Sequence, residues 1–297
     1  MIQVLGHLHP DSDAVCTAVV AAQWLTHSGR DARAWRTGEL NKETQFIFQR
    51  ANLTPPALLD MPLQDCDVWL VDFTEPAQGP QSLQESNIVG IIDHHRLGGL
   101  VTRLPPEVWI KPVGSSATVL WQLMQPETLC VAHAVLLLGA ILSDTVALRS
   151  PTTTDDDRRA VDALAAIANI DLATFTHDLL AAKTDITGMS AHALLNKDIK
   201  AFTLAGHAVQ IAQLELYSRA QVDAVLPELL EEMNAHAVRT GAELVVLMLS
   251  EISENGSVLY FSGSALADAE PRHVPGMLSR KKQMLPWLEE RLRAQSA

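Results

Sequence analysis

Short apolar runs alternate with longer amphipathic segments over the N-terminal part of the chain. Runs typical of buried strands lie at residues 2–6 (IQVLG), 66–72 (CDVWLVD) and 87–93 (NIVGIID). Helical spacing of apolar residues is found at 14–29, 115–124, 133–145 and 152–168. Because strands that alternate with helices form parallel sheets, this α/β pattern predicts an open, mostly parallel sheet with helices on both faces.

The pattern changes after the polar stretch KTDITGMS, which contains Gly188 and predicts a linker at 184–190. Beyond the linker, strands are predicted at 201–206, 207–216, 243–252 and 257–263, and helices at 219–241 and 275–295. The first two of these strands are predicted to pair with each other. We therefore expect an N-terminal domain at 1–183 and a smaller C-terminal α+β domain at 191–297.

The composition is that of an ordinary folded protein and excludes several classes of partner. Of the 297 residues, 47% are hydrophobic and 19% are charged, which is not the signature of a disordered chain. The net charge of −13 argues against nonspecific binding to nucleic acid or to an anionic membrane, because both require a basic face.

The sequence also bears on cellular location. The first residues lack a basic segment followed by a long apolar one, and the longest apolar run, AVLLLGAIL, is too short to cross a bilayer. Three widely spaced cysteines, Cys16, Cys66 and Cys130, do not indicate a disulfide framework and are expected to be reduced thiols. A cytoplasmic protein is therefore expected.

Ionisable residues are concentrated where the predicted strands end. His7 follows the first strand, and Asp72 ends the second. Asp93, His94 and His95 close the third. In open α/β sheets ligands gather at the carboxyl ends of the strands, because side chains and helix N-termini converge there. These five residues are therefore candidates for one site.

Three further carboxylates are candidates for the same site. Asp11 and Asp13 lie shortly after the first strand, in a loop that Pro10 stiffens, and both can turn to one point. A helix-capping role for Asp13 is equally supported by its position. Asp144 lies in the apolar segment GAILSDT, where a buried carboxylate is unfavourable unless it is paired or bound to metal. The alternative for Asp144 is a helix-end or solvent-facing carboxylate.

Carboxylate and imidazole groups without thiolates favour magnesium, manganese or a related divalent ion over structural zinc. Ligands from several strands indicate two ions that share one carboxylate. Two such ions about 3.5–4 Å apart activate water and neutralise the charge that develops in phosphoryl transfer. The strand-end residues therefore predict metal-assisted phosphoryl chemistry.

Seven short motifs occur in order along nearly the whole chain: GHLHPDSDAV, LVDFTE, IIDHHR, KPVGSSATV, ILSDTVALRSPT, DIKAFTL and SRKKQMLP. IIDHHR carries an Asp-His-His signature. Together the motifs resemble those of the manganese-dependent family II inorganic pyrophosphatases, which are DHH phosphoesterases. The resemblance implies a DHH domain followed by a DHHA2-like domain, with the site in the cleft between them.

The resemblance implies a role for each candidate ligand. One metal ion would be bound by His7, Asp11 and Asp72, and the second by Asp13, Asp72, His94 and Asp144. Asp72 would therefore bridge the two ions. Manganese is the expected ion, with cobalt or magnesium as alternatives and additional magnesium entering with the substrate. Asp93 would orient a histidine.

Substrate contacts are implied on both sides of the linker. His95 would donate a hydrogen bond to a phosphate oxygen or to the leaving group. Lys200, Arg280 and Lys281 would bind phosphate, Arg280 through its planar guanidinium and Lys281 as a point charge. Lys282 has no such match and is expected to face solvent. The implied catalytic residues are thus His95, Asp93, Lys200, Arg280 and Lys281.

The implied reaction is hydrolysis of pyrophosphate to two orthophosphates by a hydroxide that bridges two metal ions, in a cleft that closes over the substrate. One alternative is another DHH phosphoesterase that acts on polyphosphate or short oligonucleotides. A second is a noncatalytic phosphate sensor on the same scaffold. The absence of a GGGH-like motif and the presence of all six matched metal positions favour pyrophosphate hydrolysis.

Four residues depart from the commoner family pattern. His9 stands where asparagine is usual, Phe73 and Thr74 where His-Asn is frequent, and Ser115 where cysteine is common. These changes bear on metal preference and rate more than on the reaction. His9 is either an additional donor near the metals or a solvent-facing loop residue. The resemblance also implies a homodimer formed through the N-terminal domain, without regulation by adenine nucleotides.

Overall fold

The computed structural model describes residues 1–124, 129–266 and 270–295. Contacts divide the chain into two compact units, Met1–Lys183 and Thr184–Ala297, which we call unit 1 and unit 2. Within the described ranges, no helix combines the length and the apolar character that crossing a membrane requires.

Unit 1 is built on a five-stranded parallel sheet. Its strands are β1 (Ile2–Leu5), β2 (Ala32–Trp35), β3 (Asp67–Val71), β4 (Asn87–Asp93) and β5 (Glu107–Ile110). They lie in the spatial order β2-β1-β3-β4-β5, and every neighbouring pair is parallel. All five carboxyl ends therefore share one edge of the sheet, as the predicted α/β class requires.

Helices follow the strands of unit 1 and flank its sheet. They are α1 (Ser12–His27), α2 (Lys42–Ala51), α3 (Ser116–Leu123), α4 (Val131–Asp144), α5 (Asp155–Ala168) and α6 (Leu172–Lys183). Side chains alternate across β3, so that Trp69 and Val71 pack against the α-helices. Val68 and Leu70 pack on the opposite face, where a 3₁₀ helix at Gln81–Glu85 contributes Leu83.

Unit 2 holds a second five-stranded sheet, of mixed orientation. Its strands are β6 (Ile199–Leu204), β7 (His207–Leu216), β8 (Leu244–Glu251), β9 (Gly256–Ser262) and β10 (Arg272–Pro275), in the order β10-β9-β8-β7-β6. β7 and β8 are parallel, and the other neighbouring pairs, including the predicted pair β6 and β7, are antiparallel. Helices α7 (Ala191–Asn196) and α8 (Leu226–Thr240) cover one face, and α9 (Leu285–Gln295) covers the other.

The predicted helix at 219–241 is wrong at its N-terminal end. Arg219–Gln221 forms a separate 3₁₀ turn, and α8 begins only at Leu226. Pro227 explains this start, because proline fits the first turn of a helix but breaks its interior. The apolar spacing of the segment therefore extends beyond the helix itself.

The predicted closing helix at 275–295 is also shorter than expected. Its first residue ends β10, and Arg280–Met284 forms a π-helical turn before α9. Turns of this kind occur frequently at functional sites. The basic SRKKQ motif lies in this turn rather than in a regular helix.

Candidate metal centre

Carboxylate and imidazole side chains from separate segments of unit 1 meet at the carboxyl edge of its sheet. They come from the loop after β1, the start of α1, the ends of β3 and β4, and the end of α4: His7, Asp11, Asp13, Asp72, Asp93, His94, His95 and Asp144. The structure therefore brings together every candidate that the sequence predicts for this part of the site.

The first ligand group consists of His7, Asp11 and Asp72, whose nitrogen and oxygen atoms lie within 4.8 Å of one another. His7 Nε2 is 3.6 Å from Asp11 Oδ2 and 3.4 Å from Asp72 Oδ2. His7 Nδ1 donates to the carbonyl of Leu8 at 2.8 Å. Because Nδ1 is engaged by a carbonyl, Nε2 is the nitrogen that faces the carboxylates.

Asp11 also caps α1, because its Oδ1 accepts a hydrogen bond from the backbone N–H of Ala14 at 3.0 Å. Its other oxygen faces His7. The capping alternative for Asp13 is therefore wrong, since Asp13 lies inside the first turn of α1 and Asp11 occupies the cap.

The second ligand group consists of Asp13, Asp72, His94 and Asp144, again with ligand atoms within 4.8 Å of one another. His94 Nε2 is 3.3 Å from Asp72 Oδ1 and 3.4 Å from Asp144 Oδ2. His94 Nδ1 donates to the carbonyl of Val113 at 3.0 Å, which aims Nε2 at the carboxylates.

Asp72 belongs to both ligand groups, and its two oxygens face different histidines. Oδ2 is directed to His7, whereas Oδ1 is directed to His94 and accepts a hydrogen bond from Ser116 Oγ at 2.9 Å. The backbone of Asp72 has φ 70°, a left-handed conformation that is unfavourable for a residue with a side chain. This conformation places a buried carboxylate between the two groups.

Asp93 fixes the orientation of His95. Asp93 Oδ1 accepts hydrogen bonds from His95 Nδ1 at 2.9 Å and from the backbone N–H groups of His94 and His95. Asp72, His94 and His95 also satisfy the distance limit for a metal group, but His95 Nδ1 is already hydrogen-bonded to Asp93. His95 therefore presents its half-exposed ring edge outward.

The start of α3 forms a cradle for Asp13. Its carboxylate accepts hydrogen bonds from the backbone N–H groups of Ser116 at 2.6 Å and Ala117 at 3.0 Å. The hydroxyl groups of Ser115 and Thr17 add bonds of 2.9 and 2.8 Å. A helix N-terminus favours negative charge, so this cradle fixes a carboxylate that is completely buried. Ser115, one of the departures from the family pattern, thus contacts a candidate ligand.

The protonation of the histidines responds to the crowded carboxylates. Burial lowers the pKa of His7, but hydrogen bonds to Asp11 and Asp72 more than offset it and raise the pKa to about 11. Burial likewise lowers the pKa of His94, but Asp72 and Asp13 raise it to about 9. Both rings therefore carry a proton at neutral pH in the metal-free protein.

The carboxylates themselves are shifted in both directions. Burial raises the pKa of Asp72, but the nearby rings of His7 and His94 hold it well below its usual range. Burial and the charge of Asp72 raise the pKa of Asp13 to about 7, and burial raises that of Asp144 well above its ordinary value. Asp13 and Asp144 would therefore be ionised more readily if additional positive charge lay nearby.

Divalent cations match this donor set. Within the part of the chain that the structure describes, the buried His94 Nε2 has no hydrogen-bond partner, as expected of a metal-ligating nitrogen. Carboxylate and imidazole donors without thiolate suit manganese, magnesium or related ions.

The three remaining departures lie around this centre. His9 is exposed and has φ 53°. Phe73 is fully buried in the core beneath the sheet. Thr74 Oγ1 donates to the carbonyl of Arg96 at 3.1 Å and accepts from the N–H of Gly98 at 2.8 Å, so it fixes the loop after the histidines.

The predicted phosphate contacts of unit 2 line one shallow cavity of about 420 Å³. Lys200 lies on β6, and Arg280 and Lys281 belong to the π-helical turn. The cavity is also lined by Phe202, Gln213, Glu215, Leu278, Ser279 and Leu285. Lys200 and Lys281 are exposed, as is Lys282, whose backbone N–H bonds to Ser279 Oγ.

Arg280 is engaged within unit 2, which the sequence does not predict. Its Nη2 donates to both carboxylate oxygens of Asp198 at 2.8 Å. Its Nη1 donates to the carbonyls of Asp198 and Ile211 at 2.7 and 3.1 Å. The buried guanidinium is thus held by an ion pair and hydrogen bonds that together engage both of its terminal nitrogens.

Comparisons with known proteins agree with this architecture. Residues 1–143 match the model of the DHH family N-terminal domain, and residues 177–291 match that of the DHHA2 domain. A protein of Deinococcus radiodurans is 38% identical, over 98% of this chain and 98% of its own length. One of Bacillus licheniformis is 32% identical, over 98% of this chain and 99% of its own. Both are named probable manganese-dependent inorganic pyrophosphatases.

A solved structure shares the fold over the whole chain. It is the crystal structure of a putative family II inorganic pyrophosphatase from Methanococcus jannaschii, with a TM-score of 0.66 and 32% identity over 99% of this chain and 100% of that one. Because relatives more than 30% identical span nearly its full length, the chain belongs to the manganese-dependent, family II inorganic pyrophosphatases.

Proposed function

We propose that this protein hydrolyses inorganic pyrophosphate to two orthophosphates at the metal centre of unit 1, with manganese as the preferred ion. One observation carries the proposal: the two oxygens of Asp72 face different ligand groups, so this carboxylate would be a ligand of both ions. The names of the relatives support pyrophosphate as the substrate.

In this proposal one ion is held by His7, Asp11 and Asp72, and the other by Asp13, Asp72, His94 and Asp144. When bound, two such ions acidify water and neutralise charge on phosphoryl oxygens. The chain contributes fixed ligand positions, because Asp72 is buried and hydrogen-bonded by Ser116 and Asp13 lies in its cradle. Fixed charges need no reorganisation during the reaction.

His95 is proposed to donate a proton or hydrogen bond to the substrate. The hydrogen bond that His95 Nδ1 donates to Asp93 raises the pKa of His95, which favours the protonated ring. Since Asp93 occupies Nδ1, the donating atom is Nε2. Such a donor stabilises the charge that develops on a phosphate or on the leaving group.

Lys200, Arg280 and Lys281 are proposed to bind the phosphate groups. Their shared cavity concentrates positive charge in a protein whose net charge is −13. The two exposed lysines reach a phosphate as mobile point charges, whereas Arg280 is the planar donor. The overall negative charge argues against nonspecific binding of nucleic acid.

A phosphate-release assay tests the proposed reaction. Metal-free protein is loaded with manganese and offered pyrophosphate, tripolyphosphate or a dinucleotide. We expect rapid release from pyrophosphate. Faster cleavage of either other substrate would redirect the assignment within the DHH phosphoesterases, and no release from any of them would contradict an enzymatic role.

We also propose that two copies pair through unit 1, along the free edge at β5. Val108 and Trp109 on this edge strand are 48% and 38% exposed. Leu97, Val101 and Leu104, in the preceding loop, are 73%, 88% and 61% exposed. Exposed apolar edge strands favour pairing with another chain. Sedimentation should show a dimer that Val108→Lys dissociates, and a monomeric wild type would refute the pairing.

A cytoplasmic location is the remaining part of the proposal. All three cysteines are free in the structure, which is typical of proteins in reducing compartments. Fractionation of cells that express the full chain would test this location directly.

A further inference from the structure

Asp157 has more hydrogen bonds than its place at the start of α5 requires. Its carboxylate is completely buried. Oδ2 accepts from the N–H and hydroxyl of Thr154, both at 2.7 Å, and from the N–H of Gly114 at 2.9 Å. Oδ1 accepts from Thr118 Oγ1 at 2.6 Å. The carboxylate is therefore fully engaged by donors from two distant segments.

Helix capping explains only half of these bonds. Thr154 and Asp157 form a capping box, which needs no partner outside the helix start. Gly114 and Thr118 lie about 40 residues earlier, Gly114 just before α3 and Thr118 within it. A substitution at Gly114 would also place a Cβ 2.9 Å from Asp157 Oδ2, so the two segments are in close contact. Asp157 thus joins α5 to both ends of the segment 114–118.

The segment that Asp157 contacts is hydrogen-bonded to candidate ligands of the metal centre. Just before it, the carbonyl of Val113 orients His94. Within it, Ser116 Oγ donates to Asp72. The same segment provides the cradle of Asp13 through residues 115–117. Three of the four members of the second ligand group therefore depend on its position.

We propose that Asp157 is a positioning residue of the metal centre. It fixes the segment 114–118 and the adjoining Val113 and, through them, the second ligand group. The inference rests on the metal binding proposed above. Asp157 contacts the segment and none of the ligands, so it acts through Gly114 and Thr118. Outer partners of metal ligands set their orientation, and their loss weakens metal binding.

The two ligand groups should respond differently. His7 and Asp11 belong to the first group, and their hydrogen bonds run to Leu8 and Ala14, outside the segment. Loss of the Asp157 contacts should therefore weaken manganese binding mainly at the second group. A general loss of stability would weaken both groups together.

Matched threonine substitutions separate positioning from capping. Thr118→Val removes the hydroxyl that links Asp157 to the segment, at nearly constant volume. Thr154→Val removes the hydroxyl that caps α5 and leaves the segment untouched. Thr118→Ser retains the link and serves as the rescue variant. Manganese binding to each metal-free protein is measured by calorimetry, and folding is checked by urea denaturation.

We expect Thr118→Val to weaken one of the two manganese sites by about tenfold or more, as for other outer partners of metal ligands. Thr118→Ser should bind like the wild type, and Thr154→Val should lower the urea midpoint without changing manganese affinity. Equal changes in Thr118→Val and Thr154→Val, or no change in the former, would overturn the inference.

Two further outcomes are distinguishable. If the wild type binds two manganese ions but does not cleave pyrophosphate, the proposed function fails and the positioning role stands or falls with the variants. If the wild type does not bind two ions, both fail. Should Thr118→Val not fold, Thr118→Ala removes the same hydroxyl and leaves the capping bonds between Thr154 and Asp157 in place.

Discussion

The two predicted functional regions differ in how firmly their side chains are held. In unit 1 the carboxylates and histidines are fixed by hydrogen bonds, and Asp13 and Asp72 are buried. In unit 2 Lys200 and Lys281 are exposed, with Lys200 Nζ 3.8 Å from Asp198 Oδ1, whereas Arg280 is buried and hydrogen-bonded to both oxygens of Asp198. Neighbouring carboxylates repel one another, so hydrogen bonds must hold them close enough to bind the same ions. An exposed lysine is attracted to a phosphate and does not need to be held in this way. The predicted metal ligands of unit 1 are therefore held more firmly than the predicted lysine contacts of unit 2.

Asp72→Asn should have the largest effect, because both ligand groups lose their shared carboxylate. We expect kcat for pyrophosphate to fall at least about 10²–10³-fold, the loss seen when one fixed electrostatic group is removed from a reacting centre. Asp67→Asn is the matched control, since Asp67 begins the same strand and is exposed. If Asp72→Asn were nearly as active as the control, the fixed carboxylates of unit 1 would not be essential for the reaction.

Lys281→Ala tests a predicted phosphate contact of unit 2, and Lys282→Ala is its control. The first removes a proposed phosphate contact, so kcat/KM should fall about 10- to 100-fold, which corresponds to roughly 1.5–3 kcal/mol for a hydrogen bond to a charged group. The second removes a neighbouring exposed charge and should leave kcat/KM unchanged. Equal effects in steady-state assays would show that the turn contributes only general charge.

Asp198→Asn tests whether Arg280 is fixed by its ion pair. The free energy of unfolding of unit 2 should fall by less than the roughly 3–5 kcal/mol of a fully buried pair, because the Asp198 side chain is 45% exposed. Urea denaturation followed by circular dichroism measures this change. Asp223→Asn, which disrupts an exposed pair with Arg219, should cost at most about 1 kcal/mol. A loss no larger than in this control would argue against the network.

Metal affinity should rise with pH, because protons on the histidines compete with metal ions. His94, with a pKa of about 9, is charged at pH 7 and must lose its Nε2 proton to bind a metal ion. Between pH 7 and pH 9, manganese affinity at the second group should rise at least about tenfold per pH unit, because His94 releases one proton and the raised pKa values of Asp13 and Asp144 add further proton release. The first group should continue to gain affinity up to about pH 11, the pKa of His7. Calorimetry in two buffers would detect the released protons, and flat affinities would contradict the assigned ligands.

Much of unit 1 could be predicted because parallel strands place their carboxyl ends together. That rule alone brings His7, Asp72 and His94 into one region, and the structure places them there. Their roles as ligands stay predictions. β2 and β5 are not predicted, since both are edge strands and few of their side chains are buried. Apolar patterns identify buried strands better than short edges.

The contacts that hold the site could not be predicted in the same way. Asp157 reads from the sequence as an ordinary helix start, and its bonds to Gly114 and Thr118 depend on tertiary packing. Likewise, no spacing rule pairs Asp198 with Arg280, because 82 residues separate them. Sequence motifs identify side chains that contact ligands more readily than those that position them.

The central claim is that Asp72 joins two neighbouring manganese ions, and electron paramagnetic resonance tests it most directly. Metal-free protein is loaded with two equivalents of manganese per chain, and its low-temperature spectrum is recorded beside that of Asp72→Asn. We predict an exchange-coupled spectrum for the wild type and its loss in the variant. A spectrum of isolated manganese ions in the fully loaded wild type would contradict the account.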